Sequence, residues 1–212
     1  ARGTSLLEVG SGPTVCASFL SSVHFNDIVL SGLFEDNRLE LNKWLDKSED
    51  ALDWTSHAEE VAALKGHSDI KKGALEIQER ARSSIRKVVP CHVLAPGVVP
   101  EEHMGTFDAV LSCNCLEAAA VDHESFQRVV SNVGALVKPG DLLVLAGIDL
   151  IGGKDGYSVG NVDFLMAKVT ENVLEQAAEN NGFQIQVYRA KDVAVVLEMP
   201  EAFTFVLAAR KL

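Results

Sequence analysis

A chain of 212 residues is long enough to bury roughly 70% of the surface its unfolded form exposes, so it needs no disulfide or metal to hold a core. Hydrophobic residues make up 47% and charged residues 23%, which excludes a disordered chain, and a formal charge of −11 makes nucleic acid a poor partner. The six histidines lack metal-ligand spacing, the four cysteines fit no zinc or disulfide framework, and no apolar run approaches the ~20 residues of a membrane span. We therefore expect a soluble cytoplasmic protein with reduced thiols and no metal.

The first apolar run, Ser5–Val9, stops at Gly10-Ser-Gly-Pro-Thr14, and residues 15–22 suit a helix with Pro13 in its first turn. Residues 27–31 read as a second strand. Residues 36–46 carry Leu39, Leu41, Trp44 and Leu45 at near-helical spacing. Residues 51–72 are poorly periodic. Residues 74–87 predict a charged helix with Leu75, Ile77, Ala81 and Ile85 turned inward, and 88–94 a third strand.

Residues 107–112 predict a fourth strand, 124–137 a helix closed by Lys138-Pro-Gly140, and 141–148 a fifth strand of almost pure Leu, Val and Ala. The glycine-rich stretch 147–160 reads as an active-site loop. Residues 167–181 then predict a helix ending at Gly182, and 183–189 and 202–210 two closing strands. The pattern is α/β: a doubly wound, mainly parallel seven-stranded sheet with an antiparallel C-terminal hairpin, in a single domain over 1–212.

A Gly10-x-Gly12 turn after the first strand bares backbone at the carboxyl end of the sheet, where open α/β folds bind ligands. A dinucleotide site wants a third glycine three residues after Gly12, and Val15 stands there; no acidic residue closes the second strand either. NAD is thereby disfavoured. S-adenosylmethionine carries no phosphate and needs close backbone approach for its amino-acid end and ribose, which Glu8-Val-Gly-Ser-Gly-Pro-Thr14 offers. The plain alternative is a tight turn without a ligand.

Further stretches follow in order: Phe34-Glu-Asp-Asn-Arg38 running to Trp44-Leu45, Ala51-Leu-Asp-Trp54, Cys115-Leu-Glu-Ala118, Ser125-Phe-Gln-Arg128, Leu136-Val-Lys-Pro-Gly140 and Ala209-Arg-Lys211. Together with the glycine turn they resemble the phenylethanolamine, nicotinamide and indolethylamine N-methyltransferase family, the phenylethanolamine branch above all, over nearly the whole chain. The resemblance implies a Rossmann-like methyltransferase fold. It implies an enzyme that moves a methyl group from S-adenosylmethionine to the nitrogen of a small amine and leaves S-adenosylhomocysteine.

Carried over residue by residue, it gives Gly10, Ser11, Gly12 and Thr14 to the methionine end of the cofactor and sets Asn37, Val93 and Cys113 around it. The family closes its second strand with an acidic residue on the ribose hydroxyls, and Gly32 stands there. Losing a charged hydrogen bond of about 1.5–3 kcal/mol weakens binding roughly 10-fold to 150-fold. The acid placed against the adenine amino group corresponds to His92, which accepts that bond when neutral and not as a cation. The family also carries an N-terminal lid with tyrosines. This chain starts at Ala1, just before the first strand, so the lid was removed or the protein works without it.

Methyl transfer to nitrogen is an in-line displacement, and aligning a neutral amine with the methyl group supplies ~7–11 kcal/mol. A carboxylate near the amine takes its proton or stabilises developing charge. Glu117 matches the acid that handles the amine, against the alternative of a helix-start carboxylate. Asp149 lies within a residue of a second family acid, and Tyr157 matches an aromatic residue beside the substrate; each also reads as a loop residue. The nicotinamide enzyme's carboxamide-binding serine falls on Met166 and its catalytic aspartate on Gly147, so nicotinamide is a poor substrate expectation. Gly32, His92 and the missing lid leave open a non-catalytic protein of the same fold that binds a ligand or partner.

Overall fold

A computed structural model describes residues 4–103, 105–150, 156–159, 161–192 and 202–212; the side chains of 103, 149, 150, 156–159, 163, 164 and 202 lie outside the described set. The chain forms two compact units, Arg2–Cys91 and His92–Leu212.

The first unit runs β1 (Ser5–Val9), α1 (Cys16–Ser21), β2 (Asp27–Gly32), α2 (Glu35–Leu45), α3 (Thr55–Leu64), α4 (Ile70–Ser84) and β3 (Ile85–Pro90). Its strands are parallel, with β2 between β3 and β1, and the register sets Glu8 opposite Leu30 and Gly32 opposite Pro90. Leu6, Leu7, Val9, Ile28 and Leu30 are sealed from solvent, as befits strands with no polar face.

Helix α3 occupies a stretch whose sequence shows no clear period. Its buried side is only Ala58 and Ala62, too small to stand out as an apolar stripe. Helix α4 starts four residues earlier than expected because Asp69 caps it, its carboxylate accepting from the Lys72 N–H at 3.0 Å. Its inward face is Ala74, Ile77, Gln78 and Ala81, and Leu75 is 62% exposed, one position off that stripe. Ile85 is not helical but opens β3, and β3 ends at Pro90 rather than reaching Leu94.

The second unit contains a 3-10 turn (Glu101–His103), β4 (Phe107–Cys113), α5 (Leu116–Ala119), α6 (His123–Gly134), β5 (Val137–Leu150), β6 (Gly156–Val159), β7 (Val162–Leu165), α7 (Glu171–Asn180), β8 (Phe183–Asp192) and β9 (Ala202–Lys211). Strand β5 pairs parallel with β4 and antiparallel with β9, which pairs antiparallel with β8. The three strands of the first unit and β4, β5, β9 and β8 of the second supply the seven expected, β6 and β7 forming a separate pair, and the C-terminal antiparallel pair is present.

Lys138-Pro-Gly140 does not close a helix; it is a bulge inside β5. The register slips between Phe107 and Ala109 on the partner strand, and Gly140 takes φ 83°, a left-handed conformation that glycine adopts without a Cβ penalty. The stretch expected as a loop is partly strand, since β5 continues to Leu150 and β6 pairs with β7 in a two-stranded hairpin. Helix α7 starts at Glu171, capped by Thr170, rather than at Ala167. The Ala167 N–H is already committed to the carbonyls of Glu117 and Ala120 at 3.0 and 2.8 Å.

Candidate active site

In the first unit the glycine turn is set by hydrogen bonds between the ends of β1 and β2. The Ser11 N–H donates to Ser31 O at 2.9 Å, and the Ser31 hydroxyl donates to Glu8 O at 2.8 Å. Gly10 and Gly12 have φ 75° and 60°, which a side chain would strain, and a Cβ added at Gly12 would meet nothing within 4 Å. The backbone there is bare and faces open space. Thr14 closes the turn by donating its N–H to Ser11 O.

Beneath the turn lies a group that the sequence analysis passed over. Glu8 is 2% exposed and its Oε2 has no hydrogen-bond partner; the Ser18 Oγ is likewise buried without one. Burial pushes the Glu8 carboxyl up to about 7. The signal was legible: an acid set among Leu6, Leu7 and Val9.

Gly32 ends β2 buried, and its carbonyl accepts from the Cys91 N–H at 3.1 Å. The Arg38 Nη1 donates to Gly32 O and Leu33 O at 2.9 and 2.7 Å, so a guanidinium rather than a carboxylate covers this strand end. Asn37 is half-buried in the first turn of α2. Burial holds the Cys91 thiol above its ordinary value.

In the second unit, an exposed His92 and a buried Val93 begin a tight turn in which the His92 N–H donates to Val98 O at 2.8 Å and Val93 O accepts from Asn132 Nδ2 at 2.9 Å. Cys113 ends β4, half-buried. Asn114 follows with φ 51°, its N–H donating to Ala146 O at 2.8 Å, and this left-handed residue turns the chain into α5.

Helix α5 is four residues long and carries Glu117, which is 3% exposed. Its Oε1 accepts from the Ile148 N–H at 3.3 Å. A Cβ added at Gly147 would overlap both the Glu117 carboxyl and the Phe205 ring, so the missing side chain at 147 is what makes room for this carboxylate. Burial raises the Glu117 carboxyl to about 7, offset in part by its own and the Ile148 backbone N–H. The side chain thus turns inward onto β5, which distinguishes it from a solvated helix-start carboxylate.

Asp149 lies on β5 opposite Phe203, and Tyr157 on β6 opposite Phe164; the side chains of both lie outside the described residues. Among the described residues no three His, Cys, Asp or Glu side chains gather as metal ligands, and no helix is long and apolar enough to cross a membrane.

Comparison with known proteins adds three findings. The model of the NNMT/PNMT/TEMT family matches residues 1–212. The chain is 30% identical to the nicotinamide N-methyltransferase of Homo sapiens over 213 residues, covering 100% of this chain and 78% of that protein. It is 28% identical to the phenylethanolamine N-methyltransferase of Sus scrofa, where 88% of the chain matches but spans only 65% of the relative's length. Among solved structures, a SAM-dependent methyltransferase from Methanosarcina mazei superposes with a TM-score of 0.68 at 13% identity, covering 100% of this chain and 94% of that one.

Proposed function

The chain belongs to the NNMT/PNMT/TEMT family, and from that premise we propose that it transfers a methyl group from S-adenosylmethionine to the nitrogen of a small amine, with Glu117 as the carboxylate that handles the amine. Its fold is that of the S-adenosylmethionine-dependent methyltransferases, and we read residues 1–212 as one methyltransferase domain.

The observation that carries the proposal is the Glu117 carboxyl, sealed against Gly147, held by the Ile148 N–H and raised to about 7. A small aliphatic amine is mostly protonated at neutral pH, and a protonated nitrogen has no lone pair for displacement. A carboxylate with a near-neutral pKa takes up that proton, directly or through water, far more readily than one near 4.5. Once ionised, it also stabilises the positive charge that grows on nitrogen as the new bond forms.

The first unit fits the cofactor's amino-acid end. Left-handed glycines bare the backbone, and the orphaned Glu8 Oε2 is a buried acceptor beneath them. When bound, S-adenosylmethionine supplies an electrophilic methyl group on a sulfonium. By the family resemblance Gly10, Ser11, Gly12 and Thr14 would hold its methionine end, and Asn37 of the first unit and His92, Val93 and Cys113 of the second are the further candidate cofactor residues. Gly32, with Arg38 over it, offers no carboxylate to the ribose, so this chain would bind the ribose through backbone and guanidinium. Asp149 and Tyr157 complete the proposed acceptor site.

Four free cysteines support a reducing, cytoplasmic setting. The test is incubation with methyl-labelled S-adenosylmethionine and a panel of small amines, with label expected on the amine nitrogen and lost in Glu117→Gln. Cofactor binding without transfer to any amine would favour the non-catalytic alternative.

A further inference from the structure

In the first unit, strand β2 ends at the carboxyl edge of a parallel sheet, where open α/β folds bind nucleosides, and it ends without a side chain. Gly32 is buried and does not take a left-handed φ, and a Cβ added there would meet only the Arg38 Cγ, at 3.6 Å. The position has room for a side chain, which would point at the aliphatic stem of Arg38. The glycine turn is tied to the same strand end, since the Ser11 N–H donates to Ser31 O at 2.9 Å. A nucleoside seated on the turn would therefore lie beside Gly32.

The group standing over Gly32 is a cation without a counter-charge. The Arg38 Nη1 donates to Gly32 O and Leu33 O at 2.9 and 2.7 Å, which pins the guanidinium over the strand end. Among the described residues its Nε and Nη2 have no hydrogen-bond partner, and no carboxylate pairs with it. Glu35 and Asp36, in the first turn of the same helix, are exposed. Arg82 shows the contrast, its guanidinium being paired with Glu79 at 3.1 Å.

A carboxylate at such a strand end accepts hydrogen bonds from a ribose diol and repels an anion beside it. An arginine there does the reverse and accommodates a phosphate on the ribose. We infer that the first unit prefers an adenosine carrying a phosphate on its 2′ or 3′ oxygen to one with a free diol. Arg38 reads the phosphate, and the bare Gly32 leaves the charge uncancelled. The inference rests on the reading of the glycine turn as the cofactor's seat, and it adds the chemical class that the ribose end accepts.

The test is calorimetric titration with adenosine, its 2′-, 3′- and 5′-phosphates, and inorganic phosphate. The 2′- or the 3′-phosphate should bind about tenfold tighter than adenosine or the 5′-phosphate, the effect of one charged hydrogen bond, and Arg38→Gln should abolish the difference. Gly32→Asp should reverse it, adenosine gaining about tenfold and the 2′- and 3′-phosphates losing at least as much, because the new carboxylate accepts from the diol and pairs with Arg38. That variant keeps the backbone contacts of Arg38, so it decides the matter even where Arg38→Gln fails to fold. Equal binding of all the nucleosides, inorganic phosphate binding as tightly as the 2′- or 3′-phosphate, no binding of any of them, or a preference that Gly32→Asp leaves unmoved overturns the inference; methyl transfer is read separately, by its own assay. The predicted preference in a protein that transfers no methyl group keeps the inference and defeats the function proposed above.

Discussion

At Glu117 a carboxyl that is almost wholly sealed from water gains the Ile148 N–H, and the balance leaves it near neutrality rather than near 4.5. Two predictions belong here. Glu117→Gln keeps the shape and loses the proton acceptor, so kcat should drop about 10²-fold or more while S-adenosylhomocysteine affinity holds; calorimetry beside a methyl-transfer assay separates the two. The rising limb of kcat/KM near pH 7 should vanish with it. Gly147→Ala would press a methyl group into the Glu117 carboxyl and the Phe205 ring. We expect a loss of about 1–3 kcal/mol in urea unfolding and reduced turnover together.

The identity of Glu117 was legible in Cys115-Leu-Glu-Ala118, but its surroundings were not, because they depend on the bare Gly147 thirty residues away. Gly147 read only as a missing aspartate; in the fold it is the space that Glu117 fills. Gly12 was legible as a turn glycine, and the structure adds the reason that substitution fails: the neighbourhood is open, so the obstacle to Gly12→Val is the φ of 60° and the side chain's projection into the ligand's approach.

Among the elements, the strands were the most legible, since buried parallel strands must be nearly continuous in apolar residues. Helix α3 escaped because its buried alanines carry no strong periodic signal, and Leu75 was misplaced because the inward stripe of α4 runs through Ala74, Ile77, Gln78 and Ala81, one position away from it. Helix α6 ends earlier than expected, at Gly134, where the Phe183 ring at the start of β8 lies 2.8 Å from a would-be Cβ. Gly134→Ala sets two effects against each other. Helix propensity favours alanine by about 1 kcal/mol, and overpacking against a buried ring costs about 1–3 kcal/mol. The clash should win, and urea denaturation should show the variant less stable by roughly 1 kcal/mol. A gain in stability would mean that Phe183 yields freely.

For the whole molecule, Glu8 and Glu117 are buried carboxyls raised to about 7 from 4.5, one in each unit. Between those values the folded chain keeps protons that the unfolded chain has released. Stability is therefore greatest below about pH 4.5 as far as these groups are concerned, falls as pH rises, and levels off above about 7. Each contributes on the order of 3 kcal/mol to that slope. Glu8→Gln should flatten the fall between pH 5 and 8 in urea titrations; an unchanged slope would show that Glu8 is ionised in the folded protein at pH 5.

The fold class and the family were readable from alternating apolar runs and from motifs spread over the chain; the acid under the glycine turn was visible in the apolar run around it, but that one of its oxygens is buried without a partner came only with the packing. The central claim, that this chain binds S-adenosylmethionine and uses it, is tested most directly by calorimetric titration with S-adenosylmethionine and S-adenosylhomocysteine. Saturable micromolar binding of both, lost in Gly12→Val and retained in Glu117→Gln, is the predicted result. No heat with either ligand up to millimolar concentration would contradict it.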